Sequence, residues 1–367
     1  MRNTRLVAAL AAFALCAVPA VANGAQPPDQ PGNSEHGHTM ADRQQHDHPG
    51  AGYSFDPNGR CHSSWEDQAD PGTCVHADYV DPGVSAPTVD PPINTFTQAY
   101  LDDLASGQAY CNGATPGYRF RVLYVTTQAR GSRYASVVTT LQDKAELADS
   151  MVFESAQETG GKRHIRYTCV TPPAPLPILE SEDQIEVKEV ILPNAADNSF
   201  DATLRELRAA GYNNSNRKYI AFVDWKECCN ADGTRRNNVG GRAEIKDDSS
   251  YGQTNLNNLG NRIGVMYLQV CSDCWGTVAL HEMIHTMGGV QDDAPRHDGQ
   301  NYWHPRDEYD IMAYGNNTYV ASGCSNPDLE YRLDCNDNDY FNTSPATGTY
   351  LRQNWNVARN QFLVGGG

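Results

Sequence analysis

The sequence predicts an α+β fold, with a mixed, twisted sheet, helices packed on it, and a small irregular C-terminal subdomain that ends in a helix. Three observations carry this expectation. From about residue 111, short runs alternate apolar and polar residues at the period of a strand. Longer runs between them repeat apolar residues at helical spacing, and the two kinds interleave in the order β-α-β-β-α-β-β-α. Beyond Gly288 the regular pattern gives way to a stretch rich in Asp, Asn, Gly and Pro.

Residues 1–22 read as a secretory signal peptide. Arg2 and Arg5 precede the short apolar run "LVAALAAFALCAVPA", and "AVA" at Ala20–Ala22 is a small-x-small cleavage site. Residues 23–60 hold His36, His38, His46 and His48 among Pro, Gly, Gln and Asp, with too few large apolar residues to fold alone, and read as a disordered linker or pro-segment. Residues 61–110 hold Cys61, Cys74 and many prolines, then a helix at "FTQAYLDDLASG", and read as a disulfide-pinned N-terminal extension. The catalytic domain is expected over 111–367. Within it "YRFRVLYVTT" alternates as a strand, and "YASVVTTLQDKAELADSMVFESAQ" is a helix. "KRHIRYTCV" and "IEVKEVILP" are strands, and "FDATLRELRAAGY" is a helix stopped by glycine. "RKYIAFVDW" and "RIGVMYLQVC" are strands, and "TYLRQNWNVARNQFL" is a closing helix.

The formal charge is −17, which disfavours nucleic acid and anionic membranes as partners. Eleven cysteines less Cys16 of the leader leave ten, an even number suited to disulfides in an exported, extracellular protein. If the strands ending near Cys228 and Cys271 are neighbours, a disulfide from Cys228 or Cys229 to Cys271 or Cys274 would clamp the helix that follows. Neither a G-x-S-x-G elbow nor a phosphate-binding loop occurs, which argues against serine hydrolase and nucleotide chemistry.

The chemistry concentrates in "HEMIHTMGG" at 281–289. Residues four apart share a helix face, so His281 and His285 can aim two imidazoles at one ion. Glu282 can act as general base on a water that the metal acidifies. Ser272 or Asp273 would cap the start of this helix, and Gly288–Gly289 its end. With "DEYDIMAYG" at 307–315, this motif resembles the metzincin metallopeptidases, zincins in which a methionine turn lies under the metal. The likeness covers roughly Cys111 to Leu363. More narrowly, "ESAQETGGKRHIRY", "LHEMIHTMGGVQ" and "DEYDIMAY" look like a group of secreted actinobacterial proteins. The resemblance implies a zinc endopeptidase fold, with His281 and His285 as ligands, Glu282 as base and Met312 as the methionine of the turn. Tyr314 would be a fifth ligand or a transition-state hydrogen-bond donor.

Gln291 stands where that family has a histidine or aspartate, and a neutral amide binds zinc weakly. The candidate third ligands are Gln291, Asp292, Asp293, His297, His304 and the carboxylates of "DEYD", and His304 is expected because an imidazole suits zinc and the glycine pair lets the chain return. "DCNDND" at Asp334–Asp339 resembles the start of a calcium loop without its glycine and closing glutamate, so a structural Ca2+ is a further expectation. The function expected is that of a secreted, monomeric, zinc-dependent endopeptidase acting on protein or peptide. The alternatives are a non-catalytic secreted binding protein on a degenerate zincin fold, and a zincin with a carboxylate as third ligand.

Overall fold

The computed structural model describes residues 49–56, 61, 64–75, 78–79, 90–91, 96–105, 110–111, 117–170, 184–229, 234–236, 238–297, 303–307, 309–313 and 331–365. The expected signal peptide, the four histidines of the 23–60 stretch and Tyr314 lie outside these residues.

In chain order the elements are β1 (Tyr53–Asp56), β2 (Ser64–Asp67), β3 (Thr73–Val75), β4 (Asp78–Tyr79), α1 (Gln98–Ala105), β5 (Arg119–Thr127) and α2 (Tyr134–Glu158). Then follow β6 (His164–Ile165), β7 (Cys169–Val170), β8 (Gln184–Ile185), β9 (Val187–Leu192), α3 (Phe200–Ala209), β10 (Arg217–Val223), β11 (Val239–Lys246) and β12 (Arg262–Tyr267). The last are α4 (Trp275–Thr286), α5 (Tyr350–Gln353) and β13 (Leu363–Val364). Among the described residues the main sheet runs β1-β2-β3-β11-β12-β10-β5-β9, with β4 also paired to β11. The β12-β10-β5-β9 block is parallel, and the pairs made by β11 are antiparallel, so the fold is α+β with a mixed sheet.

Side-chain alternation along β5 builds the two layers. Phe120, Val122 and Tyr124 face the layer of α2 and α4, with Leu141, Val152, Leu280 and Ile284. Leu123 and Val125 face the opposite layer, with Phe200, Leu204 and Leu207 of α3. Ser199 caps α3 through its hydroxyl, which accepts from the Ala202 amide at 3.0 Å. No helix among the described residues is long and apolar enough to cross a membrane.

Several expectations are corrected. The sheet begins inside the stretch read as a linker, because β1 pairs with β2 and Tyr53 is buried against Phe200. The 61–110 extension is part of the sheet, with β3 and β4 both paired to β11. β11 itself was not anticipated, because "VGGRAEIK" carries two glycines and three charges. Each charge is buried beside an opposite one: Arg242 with Glu227 at 2.5 Å, Glu244 with Arg208 at 2.5 Å, and Lys246 with Asp70 at 2.8 Å. "KRHIRYTCV" is not one strand; it supplies only β6 and β7, with Tyr167 bridging to Phe120 between them.

The closing helix stops after one turn. Asn356 and Asn360 turn their side-chain oxygens onto the amides of Ala358 and Phe362, the local competition that diverts asparagine-rich chain from helix. The inter-strand disulfide is absent as well. β10 and β12 are neighbours, but Cys228 is bonded to Cys229 and Cys271 to Cys274. A partner one or three residues away closes a far shorter loop than the roughly 40 residues of the expected bridge. Cys61–Cys74 and Cys111–Cys169 complete the pairs within the described residues.

α1 is tied to the domain by a buried charge cluster. His164 donates through Nδ1 to the Asp149 carboxylate of α2 at 2.7 Å and through Nε2 to the Asp103 carboxylate of α1 at 2.9 Å. Burial opposes a charged ring, but the Asp149 and Asp103 carboxylates outweigh it and raise the histidine pKa. A raised native pKa gives stability that is full below the unfolded value of about 6.5 and is lost as pH rises through the native value. His164→Ala, which leaves two carboxylates facing each other, is therefore expected to cost about 3 kcal/mol at pH 6. Denaturant titrations across pH 5–10 should show the gap to wild type narrowing on the alkaline side, and a pH-independent gap would refute the assignment.

Candidate metal centre

α4 is buried along its whole length, so both of its ends must be satisfied by protein groups. Neither Ser272 nor Asp273 caps it. The helix starts at Trp275, and the cap comes from Asp90, whose carboxylate accepts from the amides of Gly276 (3.0 Å) and Thr277 (2.7 Å) and from the Thr277 hydroxyl (3.1 Å). Lys144 of α2 pairs with the same carboxylate at 3.0 Å. An anion here also suits the positive end of the helix dipole. No local sequence signal could have located this cap, because Asp90 lies 186 residues before Gly276.

At the other end Gly288 has φ +90°, and a Cβ there would fall 2.5 Å from the Asn257 side chain. The last carbonyls find partners from elsewhere. Lys218 of β10 donates to Thr286 O, and Trp355 Nε1 donates to Met287 O at 2.8 Å. Burial pushes the Lys218 ammonium pKa well down.

Three imidazoles meet on one side of this helix. The ligand atoms of His281, His285 and His304 lie within 4.8 Å of one another, and all three residues are buried. His285 Nε2 is 2.9 Å from His281 Nε2, which is 3.2 Å from His304 Nε2. The Nδ1 atoms of His281 and His285 face carbonyl oxygens, of Ile311 at 2.9 Å and Gly289 at 2.8 Å. A carbonyl only accepts, so each Nδ1 carries the proton, and in the neutral ring Nε2 presents a lone pair. Two lone pairs at 2.9 Å repel unless a proton or a cation lies between them. Nitrogens bound tetrahedrally to zinc at 2.0–2.1 Å stand about 3.3–3.4 Å apart. The triad is therefore close to the dimensions of a three-histidine metal site, and it could hold a metal ion.

Glu282, one residue after the first histidine, is fully buried against the sheet. Gly241 of β11 makes room for it, since a Cβ at that position would sit 2.0 Å from Glu282 Oε1. Met312 is buried in the core one residue after Ile311, whose carbonyl fixes His281.

The other candidates are placed elsewhere. Gln291 is buried and fully engaged. Its amide nitrogen donates to Gly288 O (2.9 Å) and Lys246 O (3.1 Å), and its oxygen accepts from Asp248 N (2.9 Å). His297 Nδ1 donates to Ala294 O at 2.9 Å, and neither it nor Asp292 or Asp293 belongs to the triad's cluster. In the Asp334–Asp339 loop, the Asp334 carboxylate turns inward and accepts from the amides of Asn338, Asp339, Tyr340 and Phe341. Burial raises its pKa to about 7 despite those bonds. Among the described residues this loop forms no metal-binding cluster.

No family model matches the chain, and no curated protein matches it. Among solved structures it is similar to metalloproteinase-II from Bacteroides fragilis, at 13% identity over 74% of this chain and 81% of that one, with a TM-score of 0.29.

The bonds of Gln291 define a structural role that can be separated from metal binding. Gln291→Ala would strand two carbonyls and an amide, at a cost of about 1–3 kcal/mol for each group left unsatisfied. Thermal unfolding should show the loss, while elemental analysis of the purified variant should find the wild-type metal content. Loss of metal without loss of stability would make Gln291 a ligand after all.

Proposed function

We propose that the chain is a secreted, monomeric, metzincin-type zinc endopeptidase with His281, His285 and His304 as ligands and Glu282 as general base. The observation that carries this reading is the convergence of three Nε2 atoms, two of them on rings whose Nδ1 protons are committed to carbonyls. Export is read from the N-terminal leader. A zinc ion held there supplies Lewis acidity at neutral pH, where the substrate carbonyl is otherwise unreactive. Glu282 takes the proton of the attacking water on a carboxylate oxygen and returns it to the leaving amine. The buried setting around Glu282 excludes bulk water and strengthens that transfer. Met312 would form the floor of the site, and Tyr314 would steady the developing oxyanion.

One observation favours a second reading, that of a metal-holding binding protein without catalysis. The outer edge of β11, the strand against which Glu282 packs, is already paired with β3 and β4. A peptide could not add to that edge as a further strand.

Digestion of casein with and without a chelator, together with metal analysis, separates the two. Glu282→Gln should reduce hydrolysis by about 10²-fold or more while the metal stays bound, because it removes a base and not a ligand. Undiminished cleavage by that variant would end the proposed mechanism, and bound metal without any cleavage by wild type would favour the binding protein.

A further inference from the structure

His304 reaches the other two histidines because of how the residue before it is held. Trp303 is fully buried and has φ +78°, a backbone region that bulky residues rarely adopt. Such a conformation persists only where the surroundings over-determine it. The surroundings here are specific. The indole packs with Cys61, Cys74 and Ile245, all fully buried, in a cluster separate from the two main cores. Cys61 and Cys74 are joined by a disulfide with a Cα–Cα distance of 5.3 Å. Trp303 Nε1 donates to Ser64 Oγ at 3.3 Å, and that hydroxyl donates to Cys61 O at 2.5 Å. The Trp303 carbonyl accepts from Val290 N at 3.2 Å, just past the end of α4.

Ile245 lies on β11, where Cys74 of β3 is its direct cross-strand partner. The indole is thus held between the strand that borders Glu282 and a disulfide-closed turn some 239 residues earlier in the chain. Metal ligands are normally oriented by groups behind them, and losing such a group typically costs about 10- to 100-fold in affinity. His281 and His285 are oriented by a helix and by carbonyls. The backbone that carries His304 is oriented by this box.

We propose that the disulfide-closed segment Cys61–Cys74 is a positioning element of the metal centre, which fixes Trp303 and through it the imidazole of His304. β2 and β3, which carry Ser64 and Cys74, are accordingly a working part of the site. This inference rests on the reading that the triad holds a metal.

The test uses the full chain. Zinc affinity is measured by competition with a chromophoric chelator, ligand geometry by the visible spectrum of the cobalt-substituted protein, and folding by thermal unfolding without metal. These readouts are compared for wild type, Trp303→Ala, Trp303→Phe and the double variant Cys61→Ala/Cys74→Ala. Trp303→Ala and the double variant should bind zinc about 10- to 100-fold more weakly and change the cobalt spectrum as His304 drops out. Trp303→Phe keeps a ring in the box and should recover most of the affinity. Wild-type affinity and an unchanged spectrum in a folded Trp303→Ala or double variant would overturn the proposal. If neither folds, Ser64→Ala and Ile245→Ala serve with the same readouts, weaker binding supporting the proposal and wild-type binding overturning it. A wild-type chain that takes up no zinc would fail the metal reading itself, and this inference with it.

Discussion

The structure depends on one constraint: a twelve-residue helix that carries two imidazoles and a carboxylate is buried from end to end. An exposed helix leaves its terminal amides and carbonyls to water, but α4 has none to draw on. Its partners come from four separate parts of the chain. Asp90 and Lys144 serve the N-terminus; Lys218 and Trp355 serve the C-terminus. Each of these groups is costly to bury alone; Asp90, Lys218 and Trp355 are satisfied by the helix ends, and Lys144 by Asp90. The helix cannot move by a fraction of a turn without breaking bonds at both ends. Two imidazoles four residues apart are thereby held to one point.

The same constraint explains Gln291. Where the chain leaves α4 it must turn at Gly288 and pass close to the end of β11. Three main-chain groups from these two segments and from the Asp248 turn converge there, and Gln291 has the two donors and the acceptor that they require. A histidine or aspartate at that position could not satisfy all three. The third imidazole comes instead from the longer loop that ends at His304. That loop needs support of its own, which the disulfide-closed N-terminal turn provides.

Periodicity revealed much of the fold and of the site. β5, α2, α3, β9, β10, β12 and α4 all show their apolar spacing, because each buries an ordinary apolar face on an ordinary layer. The pair His281 and His285 is visible for the same reason, as a repeat of four on a helix. What periodicity could not show is held together by polar groups distant in sequence. β11 looks like loop because its charges find their partners at Asp70, Arg208 and Glu227. Asp90 looks like one more acidic residue in a proline-rich segment. Trp303 looks like an ordinary core aromatic, and nothing in its neighbours announces a left-handed backbone. The closing helix failed in the opposite sense. Its apolar spacing is present, but asparagines that bond their own backbone override it.

β11 is where these long-range contacts meet. One of its faces lacks a side chain at Gly241 and so admits Glu282, and further along the same face Ile245 closes the box around Trp303. Its other face carries Arg242 and Glu244, neutralised from the loop after β10 and from α3. Its outer edge takes β3 and β4. Buried ion pairs of this kind contribute little net stability compared with an apolar replacement, but a misplaced partner leaves a bare charge in the interior, which is strongly unfavourable. The charges on β11 therefore act less as glue than as a test of register. Only one alignment of the N-terminal strands, α3 and the loop at 227 neutralises all of them. A one-residue slip would also turn Gly241 away and drive a side chain into Glu282. A strand that reads as the least regular segment of the sheet is the one that fixes where Glu282, His304 and the N-terminal segment stand relative to one another.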